Sequence, residues 1–160
     1  MSDCSVVHKS WSELTTADLY SFLKLRTDVF FVEQRIDEEE LDNRDQEPTT
    51  EHLWIVDDAG TAAYLRVLVD IDPTHRDARR IVSRVVVRAD RRGEGLAKVL
   101  MAQVIRHYGE EALLLHAQHY IAALYSHFDF EEFGGLYVEA GLNHISMYRA
   151  GRPAASVAVE

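Results

Sequence analysis

At residues 91–98 the chain reads Arg91-Arg92-Gly93-Glu94-Gly95-Leu96-Ala97-Lys98, and this segment joins a predicted strand to a predicted helix. The strand precedes it at residues 81–88, where β-branched and apolar side chains predominate. The helix follows at residues 96–107, where apolar residues recur at every fourth position, as on one face of an α-helix. The two glycines lack Cβ atoms, so a ligand can approach the backbone of the connection closely.

This connection predicts a site for a phosphorylated ligand. Its backbone N–H groups open a helix, whose N-terminus favours anions, and Arg91, Arg92 and Lys98 add positive charge. The connection is not a P-loop, because the Gly-Lys-Ser/Thr ending is absent. It also differs from a dinucleotide fingerprint, since Lys98 stands where the third glycine is required.

The composition predicts one globular domain over residues 1–150, followed by a loose tail over residues 151–160. A chain of 160 residues can bury a core unaided, and its apolar content of 47% and charged content of 28% are ordinary. The sequence has no apolar run of membrane-spanning length and no signal-peptide pattern. The single cysteine, Cys4, cannot form an internal disulfide, which favours a cytoplasmic location.

The net charge of −10 argues against a nucleic-acid partner, because such binding depends on basic side chains that neutralise phosphates. Much of the negative charge lies in residues 37–47, here called the acidic segment. We interpret it mainly as a solvated loop, and the alternative is that it attracts a cationic acceptor. A metal site is not expected, because His116 and His119 have no cysteine or further histidine nearby to complete a set.

The predicted elements follow an α+β order with a mostly antiparallel sheet. A helix is predicted over about residues 17–34, with Thr16 as its N-cap. On this helix Arg26 and Glu33 share the apolar face, and buried charges of that kind need partners or a wet cavity. The other predicted elements are strands at 6–8, 51–56, 62–69, 81–88, 113–116, around Val138 and at 144–148, and helices at 96–107 and 120–127.

Two segments resemble conserved blocks of the GNAT acetyltransferases. The first is the connection described above, whose Arg-Gly-x-Gly-x-Ala pattern is similar to the acetyl-CoA pyrophosphate loop of that superfamily. The second is the segment at residues 117–130, which is similar to the pattern Asn-x-x-Ala-x-x-Phe-Tyr-x-x-x-Gly-Phe and has Tyr125 at its tyrosine. Here Gln118 replaces the asparagine and Asp129 the glycine, and aspartate tolerates the left-handed conformation better than most residues.

Two further segments resemble the ElaA-like branch of the same superfamily. Residues 25–34 match Arg-x-x-Val-Phe-x-Val-Glu-Gln, and residues 135–147 are similar to Tyr-x-Glu-x-Gly-Ile-x-His-x-x-Met. Together the resemblance covers about residues 10–149. It implies the GNAT fold, a central mixed and mostly antiparallel sheet flanked by helices. It also implies transfer of an acetyl group from acetyl-CoA to an amine.

The resemblance also implies which residues contact coenzyme A. A backbone N–H of Val86 or Val87 is the expected donor to the thioester carbonyl. The glycine-containing connection is expected to hold the pyrophosphate, and Gln118 to bond the pantetheine arm. The full expected set is Val85, Val86, Val87, Arg91, Arg92, Gly93, Glu94, Gly95, Leu96, Ala97, Lys98, Gln118 and Tyr125.

For catalysis, Tyr125 is the expected general acid that protonates the departing thiolate, because a phenol with a pKa near 10 keeps its proton at neutral pH. The acceptor amine arrives as an ammonium, so a base must remove its proton. A carboxylate would need burial for this role, whereas an imidazole titrates near neutrality. The candidates, in order, are Glu33, then Glu139, with His144, His52 and His119 as imidazole alternatives.

Three arginines have two interpretations. With Glu33 and His144, they could bind the acceptor, because a guanidinium binds a substrate carboxylate bidentately. The alternative, which we favour, is that they pair with Glu33 and Glu139 inside the domain. The arginines are Arg26, Arg66 and Arg84.

On this resemblance the chain is expected to be a cytoplasmic N-acetyltransferase. No nucleophilic cysteine lies near the connection, so transfer is expected to be direct, within a ternary complex. The expected acceptor is a small-molecule or peptide amine, and no metal, nucleic acid or membrane is expected to take part. One alternative is a catalytically weak CoA-binding regulatory or partner-binding module, and another is an enzyme for a longer acyl group. The identity of the acceptor and the oligomeric state, including a homodimer, stay open.

Overall fold

The computed structural model of the protein describes residues 5–154 as a seven-stranded sheet with helices on both faces. The strands are β1 (Val7–Ser10), β2 (Glu51–Asp57), β3 (Gly60–Val69), β4 (Arg80–Val87), β5 (Leu113–Gln118), β6 (Glu131–Glu139) and β7 (Leu142–Arg149). The helices are α1 (Thr16–Arg26), α2 (Leu96–Tyr108) and α3 (Ala122–Ser126). Cys4 and residues 155–160 of the predicted tail lie outside the described residues.

The strand order is β1-β2-β3-β4-β5-β7-β6, and every neighbouring pair is antiparallel except β4 and β5. The predicted α+β class with a mixed, mostly antiparallel sheet is therefore confirmed. The parallel pair is created by α2, which carries the chain from the end of β4 back to the start of β5, as a parallel connection requires.

The parallel strands β4 and β5 diverge soon after they meet. Residues 80–82 pair with residues 113–115, and the pairing ends there. Between residues 83 and 86, β4 also has one residue more than β3 opposite, with Arg84 at φ 56°. Such a bulge bends a strand locally. The main-chain groups of β4 that point toward β5 therefore lose their ladder partners, and a cleft opens in the middle of the sheet.

The two main parts of the core lie on opposite faces of β3, under α1 and α2, and a smaller third cluster surrounds Leu68 and Leu114. Residues 61–68 are all buried, as expected for a strand that is packed on both faces. One part of the core joins α2 to the sheet and includes Leu100 and Val104. The other part joins α1 to the sheet and includes Phe22 and Trp54. The cleft between β4 and β5 is therefore flanked by packed helices on both faces of the sheet.

The first helix differs from its prediction in two ways. Its N-cap is Thr15 rather than Thr16, because the Thr15 hydroxyl accepts the N–H of Asp18 and the Asp18 carboxylate accepts the N–H of Thr15, both at 3.0 Å. The helix also changes after Arg26 into a π-helical segment at Thr27–Glu33. A π-turn holds more residues than an α-turn, so the face assigned by 3.6-residue spacing does not continue through it.

The C-terminal hairpin is longer than predicted. Only Val138 was expected as a strand residue before the turn, but β6 spans nine residues. It is an edge strand with mostly exposed side chains, so its sequence carries no regular apolar pattern. The predicted five-residue connection is a two-residue turn, in which Ala140 and Gly141 both have positive φ. After β7, Arg152 and Ala154 donate backbone N–H groups to Gly109 and Glu110.

Candidate active site

A cavity of about 820 Å³ lies where β4 and β5 diverge. This volume is within the range of small-molecule sites, about 300–1,000 Å³. Its walls come from β4, β5, α3, the π-helical segment, the acidic segment and the β6–β7 turn. The predicted site residues that line it are Val85, Val86, Val87, Arg92, Ala97, Gln118, Tyr125, Glu139, Arg66, Arg84 and His144.

The loop before α2 is fastened to the neighbouring hairpin. Arg88 and Arg91 both pair with Asp57, the last residue of β2, and Arg91 Nη1 lies 2.6 Å from Asp57 Oδ2. These contacts, hydrogen bonding from Arg88 foremost, hold the pKa of Asp57 well below its usual range. Arg91 also pairs with Glu94 at 2.8 Å. The loop therefore has a defined position, but the Arg91 guanidinium is already occupied by carboxylates of the protein.

The backbone at the start of α2 is open to an anion. Gly95 precedes the helix at φ 79° and ψ 19°, without any side-chain cap, and the first intrahelical bond runs from the Val99 N–H to the Gly95 carbonyl. The N–H groups before Val99 therefore have no partner within the helix. A Cβ atom at Gly93 or Gly95 would meet no atom within 4 Å. This end of the helix fits the pyrophosphate of a CoA-type donor.

The positive charges around this loop are unequally available. Arg92 forms a two-pronged ion pair with Glu33, at 2.9 Å and 3.0 Å, and its Nε donates to the Val87 carbonyl. Lys98 is exposed and forms no ion pair with the described part of the chain. Glu33 is itself exposed and does not line the cavity. The prediction of an inward-facing Glu33 is wrong, because the π-helical segment shifts the helical phase after Arg26.

Tyr125 lies deep in the cavity wall. The residue is 3% exposed, and its ring packs edge-on against Phe130. Within residues 5–154 the Tyr125 hydroxyl makes no hydrogen bond. Every side-chain nitrogen or oxygen there that is shut off from solvent does have a hydrogen-bond partner. The hydroxyl must therefore open into the cavity that the residue lines. Burial, with a smaller effect of Tyr120, raises the pKa of the Tyr125 phenol, which keeps it protonated at neutral pH.

Gln118, predicted to contact the pantetheine arm, is paired with another amide. Its Nε2 donates to Gln34 Oε1 at 2.9 Å, and Gln34 Nε2 donates back to Gln118 Oε1 at 3.2 Å. Both residues line the cavity, one at the end of β5 and one after the π-helical segment. The amide pair joins two walls of the cavity. A bound pantetheine amide, with one N–H and one C=O, can replace the Gln34 amide as the partner of Gln118.

His144 has the geometry of a base. It is 8% exposed, and its Nδ1–H donates to the Leu142 carbonyl at 2.9 Å, so the neutral ring carries its lone pair on Nε2. Within residues 5–154 Nε2 makes no hydrogen bond, and it lies 4.0 Å from Glu139 Oε2. His116 on β5 is hydrogen-bonded to Ser146, and partial burial of its ring lowers the pKa of His116.

The other two histidine candidates lie elsewhere. His52 is fully buried, donates from Nε2 to the Asp45 carbonyl, and accepts the Tyr64 hydroxyl at Nδ1. Burial lowers the pKa of His52, so it stays neutral as part of the core. His119 is exposed and is not among the cavity residues. Of the three predicted imidazoles, only His144 can meet an acceptor in the cavity.

The three predicted arginines form one network, but with other partners than expected. Arg26 and Arg66, almost completely buried, share Asp45, with Nη1–Oδ1 distances of 2.7 Å and 3.0 Å. Glu40 and Asp42, two further acids of the acidic segment, also bind the arginines. Glu33 and Glu139 take no part, so the predicted partners are wrong. The acidic segment is therefore in part a structural wall of the cavity rather than only a solvated loop.

Two carboxylates of this network, Asp42 and Asp45, stay charged over the physiological range. Burial alone would raise the pKa of Asp45, but hydrogen bonds and charges from Arg26 and Arg66 outweigh it and lower that pKa. Arg66 similarly holds the pKa of Asp42 well below its usual range against the cost of burial. The guanidiniums are thus neutralised inside the protein. No arginine of the network is free for a substrate carboxylate while these pairs persist.

Sequence reasoning missed several cavity residues. Gln34 is the last residue of a segment that was matched to a family pattern, so a signal for it was present. Glu38, Glu39 and His116 line the cavity because of the path the folded chain takes, and no local sequence pattern marks them.

Among residues 5–154 no helix is long and apolar enough to cross a membrane, and no three His, Cys, Asp or Glu side chains are placed to hold a metal ion.

Comparisons with known proteins agree with this geometry. The family profile described as "Acetyltransferase (GNAT) domain" matches residues 20–150. A crystal structure of an acyl-CoA N-acyltransferase from Pseudomonas aeruginosa is 34% identical, with a TM-score of 0.81 over 92% of this chain and 100% of that one. UPF0039 protein Rv2851c of Mycobacterium tuberculosis is 30% identical over 149 residues, 91% of this chain and 93% of that protein.

Protein ElaA of Escherichia coli is 31% identical over 147 residues, 86% of this chain and 91% of that protein, and its crystal structure superimposes with a TM-score of 0.80. The chain therefore belongs to the GNAT acetyltransferase-domain family, whose fold is that of the acyl-CoA N-acyltransferases. Within that family it falls in the ElaA-like branch, as its segments at residues 25–34 and 135–147 predicted.

Proposed function

We propose that this chain is an N-acetyltransferase that moves an acetyl group from acetyl-CoA directly to an amine. Family membership supports an acyl-CoA-dependent transferase. The observation that carries the finer proposal is the Tyr125 hydroxyl. It is protonated, has no partner within residues 5–154, and opens into the cleft between β4 and β5. A protonated hydroxyl that is open to the cleft is the group that protonation of a departing thiolate requires.

The donor would be held by the loop before α2. The free N–H groups at the start of α2 and the exposed Lys98 would bind the pyrophosphate, and Gln118 the pantetheine arm. When bound, the donor supplies an acyl thioester in the cleft. Beyond Val82, β4 no longer pairs with β5, so an N–H of Val86 or Val87 that faces the cleft would polarise its carbonyl, and both residues line the cavity.

The protein's own residues would move two protons. His144 Nε2 takes a proton from the acceptor ammonium, directly or through a water molecule, so that nitrogen can attack the acyl carbon. As the new C–N bond forms and the C–S bond breaks, Tyr125 gives its proton to the departing thiolate. Solvent returns a proton to Tyr125. The structure favours His144 over Glu33, the first-ranked base, because Glu33 is bound to Arg92 outside the cavity.

The test is acceptor-dependent release of free thiol from acetyl-CoA, measured with a panel of primary amines in a buffer containing EDTA. The expected result is thiol release that depends on an amine and is unaffected by the chelator. The alternative, a catalytically weak CoA-binding module, predicts CoA association without any acceptor-dependent thiol. Butyryl-CoA and hexanoyl-CoA as donors test the longer acyl groups, and faster turnover with either would replace acetyl as the assigned group.

A further inference from the structure

The charges that line the cavity do not balance. Four arginines line it, and each is paired with carboxylates of the protein: Arg44, Arg66, Arg84 and Arg92. Six acidic residues also line it. Within residues 5–154, three of these six have no lysine or arginine within ion-pair distance: Glu38, Glu39 and Glu139. The cavity therefore presents an excess of negative charge to whatever enters it.

A second observation shows that this charge faces a ligand. His144, more than nine-tenths buried, has its Nε2 open to the cavity without a hydrogen-bond partner. Glu139 places a carboxylate 4.0 Å from that nitrogen. An ammonium group held by Glu139 would therefore lie beside the atom that can take its proton. One cation site is thus located at the reacting end of the cavity.

The other two carboxylates lie at a distance from His144. Glu40 accepts a hydrogen bond from Arg84 of β4, at 3.0 Å, so Glu38 and Glu39, the residues just before it, lie beside β4. His144 is on β7, and β5 stands between β7 and β4. Two strand spacings amount to about 10 Å where strands pair, and β4 has already diverged from β5 at this level, so the strands are at least that far apart. The cavity therefore has two negative ends on opposite sides of β5, a span that an aliphatic chain can bridge.

We propose that the acceptor is an aliphatic diamine or polyamine. Its reacting amine lies between Glu139 and His144, and its second ammonium is held by Glu38 and Glu39 at the β4 end. The inference rests on the proposed function, since the acceptor is defined by the transfer. It adds a selectivity that the transfer does not require, because a monoamine satisfies the chemistry at His144 equally well.

The experiment compares each diamine with the amino alcohol of the same chain length, for example cadaverine with aminopentanol. The pair differs only in the charge at the far end. Each of the two carboxylate contacts should raise kcat/KM a few-fold, so we expect kcat/KM to be about tenfold higher for the diamine at low salt. High salt should shrink this ratio toward one. Equal kcat/KM values for the two acceptors would overturn the proposal and leave the acetyltransferase function standing.

Variants locate the far site. The double substitution Glu38→Gln and Glu39→Gln should reduce the diamine-to-alcohol ratio to about one, because the far ammonium loses both partners. Asp37→Asn, an exposed neighbour that does not line the cavity, is the matched control and should keep the ratio of the unaltered protein. A ratio that persists in the double variant would refute this placement of the second ammonium.

Calorimetric titration of the CoA-bound protein with cadaverine and with aminopentanol separates this inference from the proposed function. If the protein acetylates neither compound but binds cadaverine more tightly than aminopentanol, the two-ended cation site is supported and the transferase function is refuted. Equal binding of the two compounds would remove the site, whatever the turnover.

Discussion

Tyr125→Phe is the most direct test of the chemistry, because the structure separates its catalytic effect from its structural effect. The ring is 3% exposed and packs against Phe130, contacts that phenylalanine keeps. The hydroxyl has no partner in the described part of the chain, so its removal leaves no orphaned group there and should change the free energy of unfolding by less than about 0.5 kcal/mol. A general acid contributes at least about 100-fold to a rate, equivalent to about 2.7 kcal/mol.

The assay measures kcat from thiol release and the Kd of CoA by calorimetry, each for Tyr125→Phe and for the parent protein. We expect kcat to fall about 100-fold, the low end of the range for general acids because a thiolate is a good leaving group. The Kd should stay nearly constant. Tyr20→Phe, an exposed tyrosine outside the cavity, is the control and should alter neither value. A fall in kcat of less than about threefold would refute the role of Tyr125 as the acid.

Asp45→Asn should lower the free energy of unfolding by about 3 kcal/mol, measured by urea titration, because Arg26 and Arg66 lose a shared buried counter-charge. Since folding lowers the pKa of Asp45, its contribution is present above about pH 4 and is lost as the pH falls further, so the two stability curves should converge in acid. Gly95→Val should weaken CoA binding at least about tenfold in calorimetry, because φ 79° strains a branched residue and its Cβ enters the phosphate space. His144→Gln should reduce kcat by about 100-fold without changing the Kd of CoA.

Controls distinguish these effects from general damage. Gly134→Val introduces a similar strain, at φ 81° and with equal space, on the edge strand β6, so it should leave CoA binding unchanged. Asp37→Asn should unfold at the urea concentration of the parent protein. Glu33→Gln should retain kcat and bind CoA a few-fold more tightly, because Arg92 is released from its ion pair. A large loss of kcat in Glu33→Gln would return Glu33 to the role of base.

The sequence predicts the structure correctly where the residues that cause a structural feature are neighbours in the chain. The strand, glycine loop and helix around residues 81–108 were predicted because each has its own periodicity or backbone requirement. Asp129 does adopt the left-handed conformation, at φ 69°, that its tolerance predicted. Errors arose at Thr16 and at the π-helical segment. In the first case two adjacent threonines are equally suitable caps, and in the second no local pattern reports an extra residue per turn.

The residues of the chain are sufficient to specify its α+β class, its glycine-containing loop before α2 and its family resemblance, because these depend on spacing within short segments. The pairing of Arg26 and Arg66 with Asp45, the position of Glu33 outside the cavity, and the choice of His144 over His52 and His119 depend on contacts between distant parts of the chain. Charged side chains pair with whichever partner the folded backbone brings within reach. Sequence spacing does not encode that distance, and the site is therefore a property of the folded chain.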